Sequence, residues 1–180
     1  LQLLWLYLLT DGLLGLGLGL EPAEKGTMQK PPRSPQENIF SGGMGTHVIW
    51  VGTVIGLLAL GAGLLYFDPA NPADTRWQTV IFTALAFMQM GQALGSRSAQ
   101  ESLFAMGWLS NPVLLGLVLL TIAAQLTVVY LPVLDRFFQV TPLSWAEMLL
   151  CAGLGLATLL LLEAEKMWLR RRRTTKPVSS

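Results

Sequence analysis

Cysteine is almost absent from this chain. Cys151 stands alone in an apolar stretch, which rules out a disulfide framework and a thiolate zinc cluster. Histidine is limited to His47, which has no acidic or cysteine neighbours in sequence and reads as structural rather than metal-ligating. Charge is scarce too: 13% of the 180 residues are charged against 52% hydrophobic, a balance outside the soluble globular class. No Walker-type phosphate loop, nucleophile motif or metal-ligand cluster occurs. The apolar run at Leu1 is longer than a signal peptide allows, so no such segment is expected here. The lack of an initiator Met and of an N-terminal loop leads to the expectation of a C-terminal part of a larger membrane protein.

What is abundant is apolar sequence in long blocks. They cover residues 1–20, 47–67, 77–95, 111–131 and 144–162, each near the roughly 20 residues that a helix needs to cross the hydrocarbon core. The expected fold class is therefore all-α, a polytopic bundle of about five membrane helices. The third block is the weakest, since Arg76, Gln78, Gln89 and Gln92 dilute it and Gly91 and Gly95 lower its helix propensity; a four-span count is the alternative. Ten basic residues (Lys25, Lys30, Arg33, Arg97, Lys166, Arg170, Arg171, Arg172, Arg173 and Lys176) follow the odd-numbered blocks. Only Arg76 and Arg136 lie in the opposite connections. The positive-inside rule then places the loops 21–46 and 96–110 and the tail 166–180 in the cytosol, with 68–76 and 132–143 outside. The Arg170–Arg173 run is assigned to anionic headgroups, not to nucleic acid.

Within this apolar background Asp11 is the outlier. An acid at the centre of a membrane helix costs roughly 2.5–3.5 kcal/mol on insertion scales and marks an ion, proton or counter-ion site by default. Gly12, Gly15, Gly17 and Gly19 follow it. They either open the helix so that freed carbonyls line a cation cavity, or form a packing face through the Gly15/Gly19 pair. On a regular α-helix Tyr7, Thr10 and Asp11, spaced i, i+3 and i+4, share one face. Hard cations such as calcium take about six to eight oxygen ligands, so other helices must contribute. Gln89 and Gln92 offer amide oxygens in the third block, or else hydrogen bonds between helices.

Other polar residues have plainer readings. Gln125, Tyr130 and Trp145 are expected to pack or to anchor at the interface. Glu163, Glu165 and Lys166 are expected at a solvated helix end, and Ser144 with Glu147 three residues on reads as a helix start. The prolines and glycines between Glu21 and Gly45 predict a stiff, mostly non-helical connection.

The stretch Leu-Leu-Trp-Leu-Tyr-Leu-Leu-Thr-Asp-Gly-Leu, followed by Leu-Gly-Leu-Glu-Pro and Met28-Gln29-Lys30-Pro31-Pro32-Arg33-Ser34-Pro35, resembles the sixth membrane helix and next loop of type II P-type ATPases, the calcium-pump group. Phe87-Met88-Gln89-Met90-Gly91-Gln92-Ala93-Leu94-Gly95-Ser96 is similar to the eighth helix, and Trp145 with the basic tail to the tenth. The resemblance implies that residues 1–180 form one cation-transporting membrane domain, helices six to ten, in the cell (plasma) membrane. Its partners would be the lipid bilayer and the N-terminal remainder of the same pump. It implies calcium as the transported cation, with ATP and Mg2+ acting in cytosolic domains whose Asp-Lys-Thr-Gly-Thr phosphorylation sequence does not occur here. In that family the sixth helix reads Asn-Leu-Val-Thr-Asp-Gly. Thr10 and Asp11 match its cation ligands, while Tyr7 replaces the asparagine and Gln89 replaces a glutamate ligand of the eighth helix. The metal-site candidates are thus Asp11, Thr10 and Gln89. The alternatives are a small membrane scaffold without transport activity, or a pump for sodium, protons or manganese.

Overall fold

A computed structural model describes residues 1–22, 44–71, 73–98, 102, 103 and 107–174. Most of the 21–46 connection and the end of the basic tail lie outside these residues. The described residues contain six helices and no strand. Helix α1 runs Gln2–Gly19 and holds a π-helical turn at Leu6–Asp11; α2 is Met44–Leu64, α3 is Arg76–Gly95 and α4 is Pro112–Tyr130. A short α5, Pro132–Phe138, sits inside the connection before α6, Trp145–Thr174. Four of these, α1, α2, α4 and α6, are long and apolar enough to cross a membrane.

Helix α3 has the length but not the apolarity, and its place in the bundle explains why. Two core clusters meet on it: Val80, Ala84 and Met88 pack with Val51 and Ile55 of α2 and with Cys151 and Leu162 of α6. Phe82, Ala86 and Met90 pack with Leu6 and Leu14 of α1 and with Leu114 and Val118 of α4. A helix enclosed by other helices need not be apolar to satisfy lipid, and its polar groups find protein partners instead. Thr79 and Thr83 are fully buried on it. By contrast the outer helices present Leu3, Leu8, Ile49, Leu57, Leu119 and Leu149 outward, the pattern expected of surfaces facing hydrocarbon.

The glycines of α3 are packing positions. A Cβ on Gly91 would lie 2.1 Å from the Gly155 carbonyl oxygen, and one on Gly155 would lie 2.6 Å from the Phe87 carbonyl oxygen. The backbones of α3 and α6 therefore touch, as small residues permit in membrane helix pairs. Gly95 against Leu162 extends the contact. In α1 the packing glycine is Gly17, whose Cβ would meet Leu114 at 2.8 Å, whereas Gly15 and Gly19 have no neighbour within 4 Å. The expected Gly15/Gly19 packing pair is therefore not used by this chain; Gly17, on the other side of the helix, is.

Helix ends follow the local sequence. Asn111 caps α4 by accepting from the Leu114 amide at 2.9 Å, with Pro112 in the first turn. At α6 the Ser144 amide donates to Glu147 at 2.6 Å and the Glu147 amide to the Ser144 hydroxyl at 3.4 Å, the reciprocal capping box read from the sequence. Helix α5 stops at Gln139, which adopts φ 54°, ψ 48°. Helix α6 runs on past the predicted limit at 162, so the start of the basic run is helical.

Candidate functional site

Helix α1 has a held side and an open side. On the held side the Gln2 amide donates to the Phe138 carbonyl at 3.0 Å, and the Trp5 indole donates to Gln125 Oε1 at 3.1 Å. The Thr10 hydroxyl meets the Leu6 carbonyl and the Gln89 side-chain oxygen. Asn111 Nδ2 donates to the Gly17 carbonyl at 3.1 Å. On the open side lie Leu4, Tyr7, Leu8, Asp11, Gly12, Gly15, Leu16 and Gly19, all exposed.

The π turn separates residues that a regular helix would align. Tyr7, at 67% relative exposure, and Asp11 face outward, whereas Thr10 is at 0% against α3. A π turn closes its hydrogen bonds from i to i+5 and advances less per residue than an α turn. Three residues then leave Thr10 well short of a full revolution, while four bring Asp11 back near Tyr7. The expected common face for Tyr7, Thr10 and Asp11 is therefore divided. Of the three metal-site candidates, Thr10 and Gln89 are brought together and Asp11 is turned away from both. Gln92, one turn along from Gln89, stays half-buried on α3. Among the described residues no group of three or more His, Cys, Asp or Glu side chains is placed to hold a metal. A groove of about 180 Å3 between Gln2, Leu6, Trp77, Gln78 and Phe82 lies toward the start of α1 and does not include Asp11.

Three polar clusters were not foreseen as such. Gln125, expected as a packing residue or interfacial anchor, is fully buried, accepts from Trp5 and reaches Thr83 Oγ1 at 3.4 Å. Arg97, expected only as a topology charge, has a side chain 2% exposed and pairs with Glu21 at 2.6 Å. It also donates to Ser110 Oγ at 2.6 Å and to the Gly107 carbonyl at 3.3 Å, while Asn111 donates to Glu21 at 2.7 Å. Burial alone would raise the Glu21 pKa, but the hydrogen bonds from Arg97 and Asn111 and the Arg97 charge outweigh it and hold the carboxyl below its usual range. This clasp fixes the C-terminal end of α1 to the ends of α3 and α4.

The third cluster corrects the expectation of a solvated end for Glu163, Glu165 and Lys166. Glu163 and Lys166 are buried and 2.8 Å apart, and Glu163 accepts from Ser102 at 2.5 Å and from the Leu103 amide at 3.2 Å. Glu165 accepts from the Trp50 indole at 2.8 Å and lies 2.9 Å from His47 Nδ1. His47 thus has the acidic neighbour that its sequence surroundings lack. The missed signal was spacing along α6: Glu163 and Glu165 lie on different faces, so each meets a different partner.

With this geometry in hand, comparison with known proteins decides the family. The profile of the family described as "Cation transporting ATPase, C-terminus" matches residues 1–168. The chain belongs to that family. Relatives include the calcium-transporting ATPase type 2C member 2 of Mus musculus, 33% identical over 171 residues, 93% of this chain and 18% of the relative. Calcium-transporting ATPase 1 of Yarrowia lipolytica is 33% identical over 99% of this chain and 19% of its own length. The type 2C member 1 protein of Bos taurus is 34% identical over 99% and 19% respectively. This C-terminal membrane region of a P-type cation-transporting ATPase therefore spans about a fifth of the length of the relatives it matches.

Proposed function

We propose that this chain is the membrane part of an ATP-driven calcium pump and that Asp11 supplies a charged ligand to the transported ion. The observation that carries this is the placement of Asp11. It is an acid within an apolar helix, the last residue of a π turn, on the side of α1 that no other described helix covers. Such turns occur frequently at functional sites, and an acid left on an uncovered helix face requires a partner from outside the segment. Helices of the N-terminal remainder would cover that face and bring further oxygen donors, while Thr10 and Gln89 meet each other on the opposite side of the same turn. The five long helices would all span, with α3 enclosed, and the basic tail would lie on the cytosolic side of the cell membrane. ATP and Mg2+ would act in cytosolic domains of the remainder, not on residues of this chain.

The test is cation-stimulated ATP hydrolysis by the full-length protein, titrated with calcium, manganese and sodium and repeated across pH. Calcium stimulation is expected, and Asp11→Asn is expected to abolish it. Stimulation by another ion alone would reassign the substrate, and stimulation unchanged by Asp11→Asn would remove Asp11 from the site.

A further inference from the structure

We infer that Gln89 is a positioning residue for the Asp11 site: it holds the Thr10 hydroxyl against α3 and thereby keeps the widened turn Leu6–Asp11 in register. This inference rests on the reading of Asp11 as an ion ligand.

The argument starts from the hydroxyl. Thr10 is fully buried, and among the described residues its Oγ1 meets two groups, the Leu6 carbonyl one turn back and Gln89 on α3. A hydroxyl has one proton to donate and two lone pairs to accept with. It can therefore donate to Leu6 and accept from the Gln89 amide, or donate to Gln89; the two amide orientations are interchangeable by a flip. In either case the amide of Gln89 ties one residue of the turn to the central helix. Gln89 itself is fixed by its neighbours, for Met88 and Met90 on either side of it are buried in the two different core clusters.

The consequence concerns the next residue along. With Thr10 fastened inward within a π turn, Asp11 is carried to the open side beside Tyr7. If the tie is lost, the segment can relax to regular α geometry, in which Thr10, Tyr7 and Asp11 draw toward one face and the carboxylate points elsewhere. Gln89 thus acts on the ion through Thr10 and the backbone. The neutral amide suits this role better than a carboxylate, because it can accept or donate and adds no charge to the buried contact with Thr10.

A double-mutant cycle in the full-length protein tests this, reading the calcium KM and kcat of stimulated ATP hydrolysis. Gln89→Leu and Thr10→Val are each expected to raise the calcium KM about tenfold with kcat held within about twofold, and the double variant to be no worse than Thr10→Val alone. Thr10→Ser, which keeps the hydroxyl, is expected to behave as wild type. Multiplicative losses in the double variant would show two independent ligands and overturn the inference, as would a Gln89→Leu protein with an unchanged KM. Because Thr10→Val removes only an oxygen and adds a methyl, it keeps the test open if Gln89→Leu does not fold; Thr10→Val with an unchanged KM also overturns it. If Asp11→Asn leaves stimulation intact, the underlying reading fails and this inference with it; an Asp11-dependent pump with an unaltered Gln89→Leu variant sinks only the positioning role.

Discussion

Helices α1 and α3 both carry polar residues through apolar surroundings, and the bundle treats them in opposite ways. Helix α3 packs against α1, α2, α4 and α6, so Thr79, Thr83 and Gln89 find protein partners and its Gly91 and Gly95 become contact points with α6. Helix α1 is held along one side only, and its single acid faces away from every other described helix. The difference separates two meanings of a polar residue in a membrane segment. On α3 it is interhelical glue, worth on average about 0.6 kcal/mol per bond. On α1 it is a group without a partner among the described residues, which the proposed ion site would provide.

The largest effect that would break this contrast is at the α3–α6 crossing. Gly91→Leu puts a side chain where a Cβ alone would lie 2.1 Å from the Gly155 carbonyl oxygen. Because that neighbour is backbone, the helices must separate, at a cost of about 3 kcal/mol or more. Loss of monodisperse protein on size-exclusion chromatography is the expected result.

Next comes the clasp at the end of α1. Glu21→Gln leaves the Arg97 guanidinium buried without its counter-charge, which costs about 3 kcal/mol by the behaviour of truncated buried pairs, read as a lower thermal unfolding midpoint. The pH dependence follows from the depressed folded pKa of Glu21. The contribution of the pair is complete above the ordinary glutamate range and is lost as pH falls through the folded value below it. Unfolding midpoints of wild type and Glu21→Gln should therefore converge only under strongly acidic conditions; a constant gap would show that the charge is not what matters.

A smaller change is expected from Ser144→Ala, which removes one half of the α6 capping box. It should destabilise by about 1 kcal/mol and leave the proposed calcium stimulation of the full-length protein unaltered, measured by thermal melting and ATP hydrolysis together.

The smallest expected stability change sharpens the comparison most. Gly15→Ala meets nothing within 4 Å in this chain, so the helices described here should pack as before. A cysteine at Gly15 should cross-link to cysteines placed in the N-terminal remainder, and one at Leu18 to cysteines placed in α4. Cross-linking of the Gly15 position into α4 would contradict the open side of α1.

The sequence by itself determined the class and the outline. Continuous apolar blocks of spanning length leave few alternatives to membrane helices, since unpaired backbone groups are not tolerated in hydrocarbon. The capping residues Ser144 and Asn111 act locally, and of these Ser144 with Glu147 was legible as a helix start. Asp11 was visible because charge within an apolar run is conspicuous in one dimension. Only the tertiary structure decided which side of a helix each polar residue occupies. Periodicity assumes 3.6 residues per turn, and the π turn at Leu6–Asp11 breaks that assumption at the residues that matter, sending Thr10 to Gln89 and Asp11 outward. Pairs such as Glu21 with Arg97 and His47 with Glu165 are 76 and 118 residues apart. No local pattern encodes them, because a charge is paired by whichever helix end the packing of glycines and leucines brings beside it.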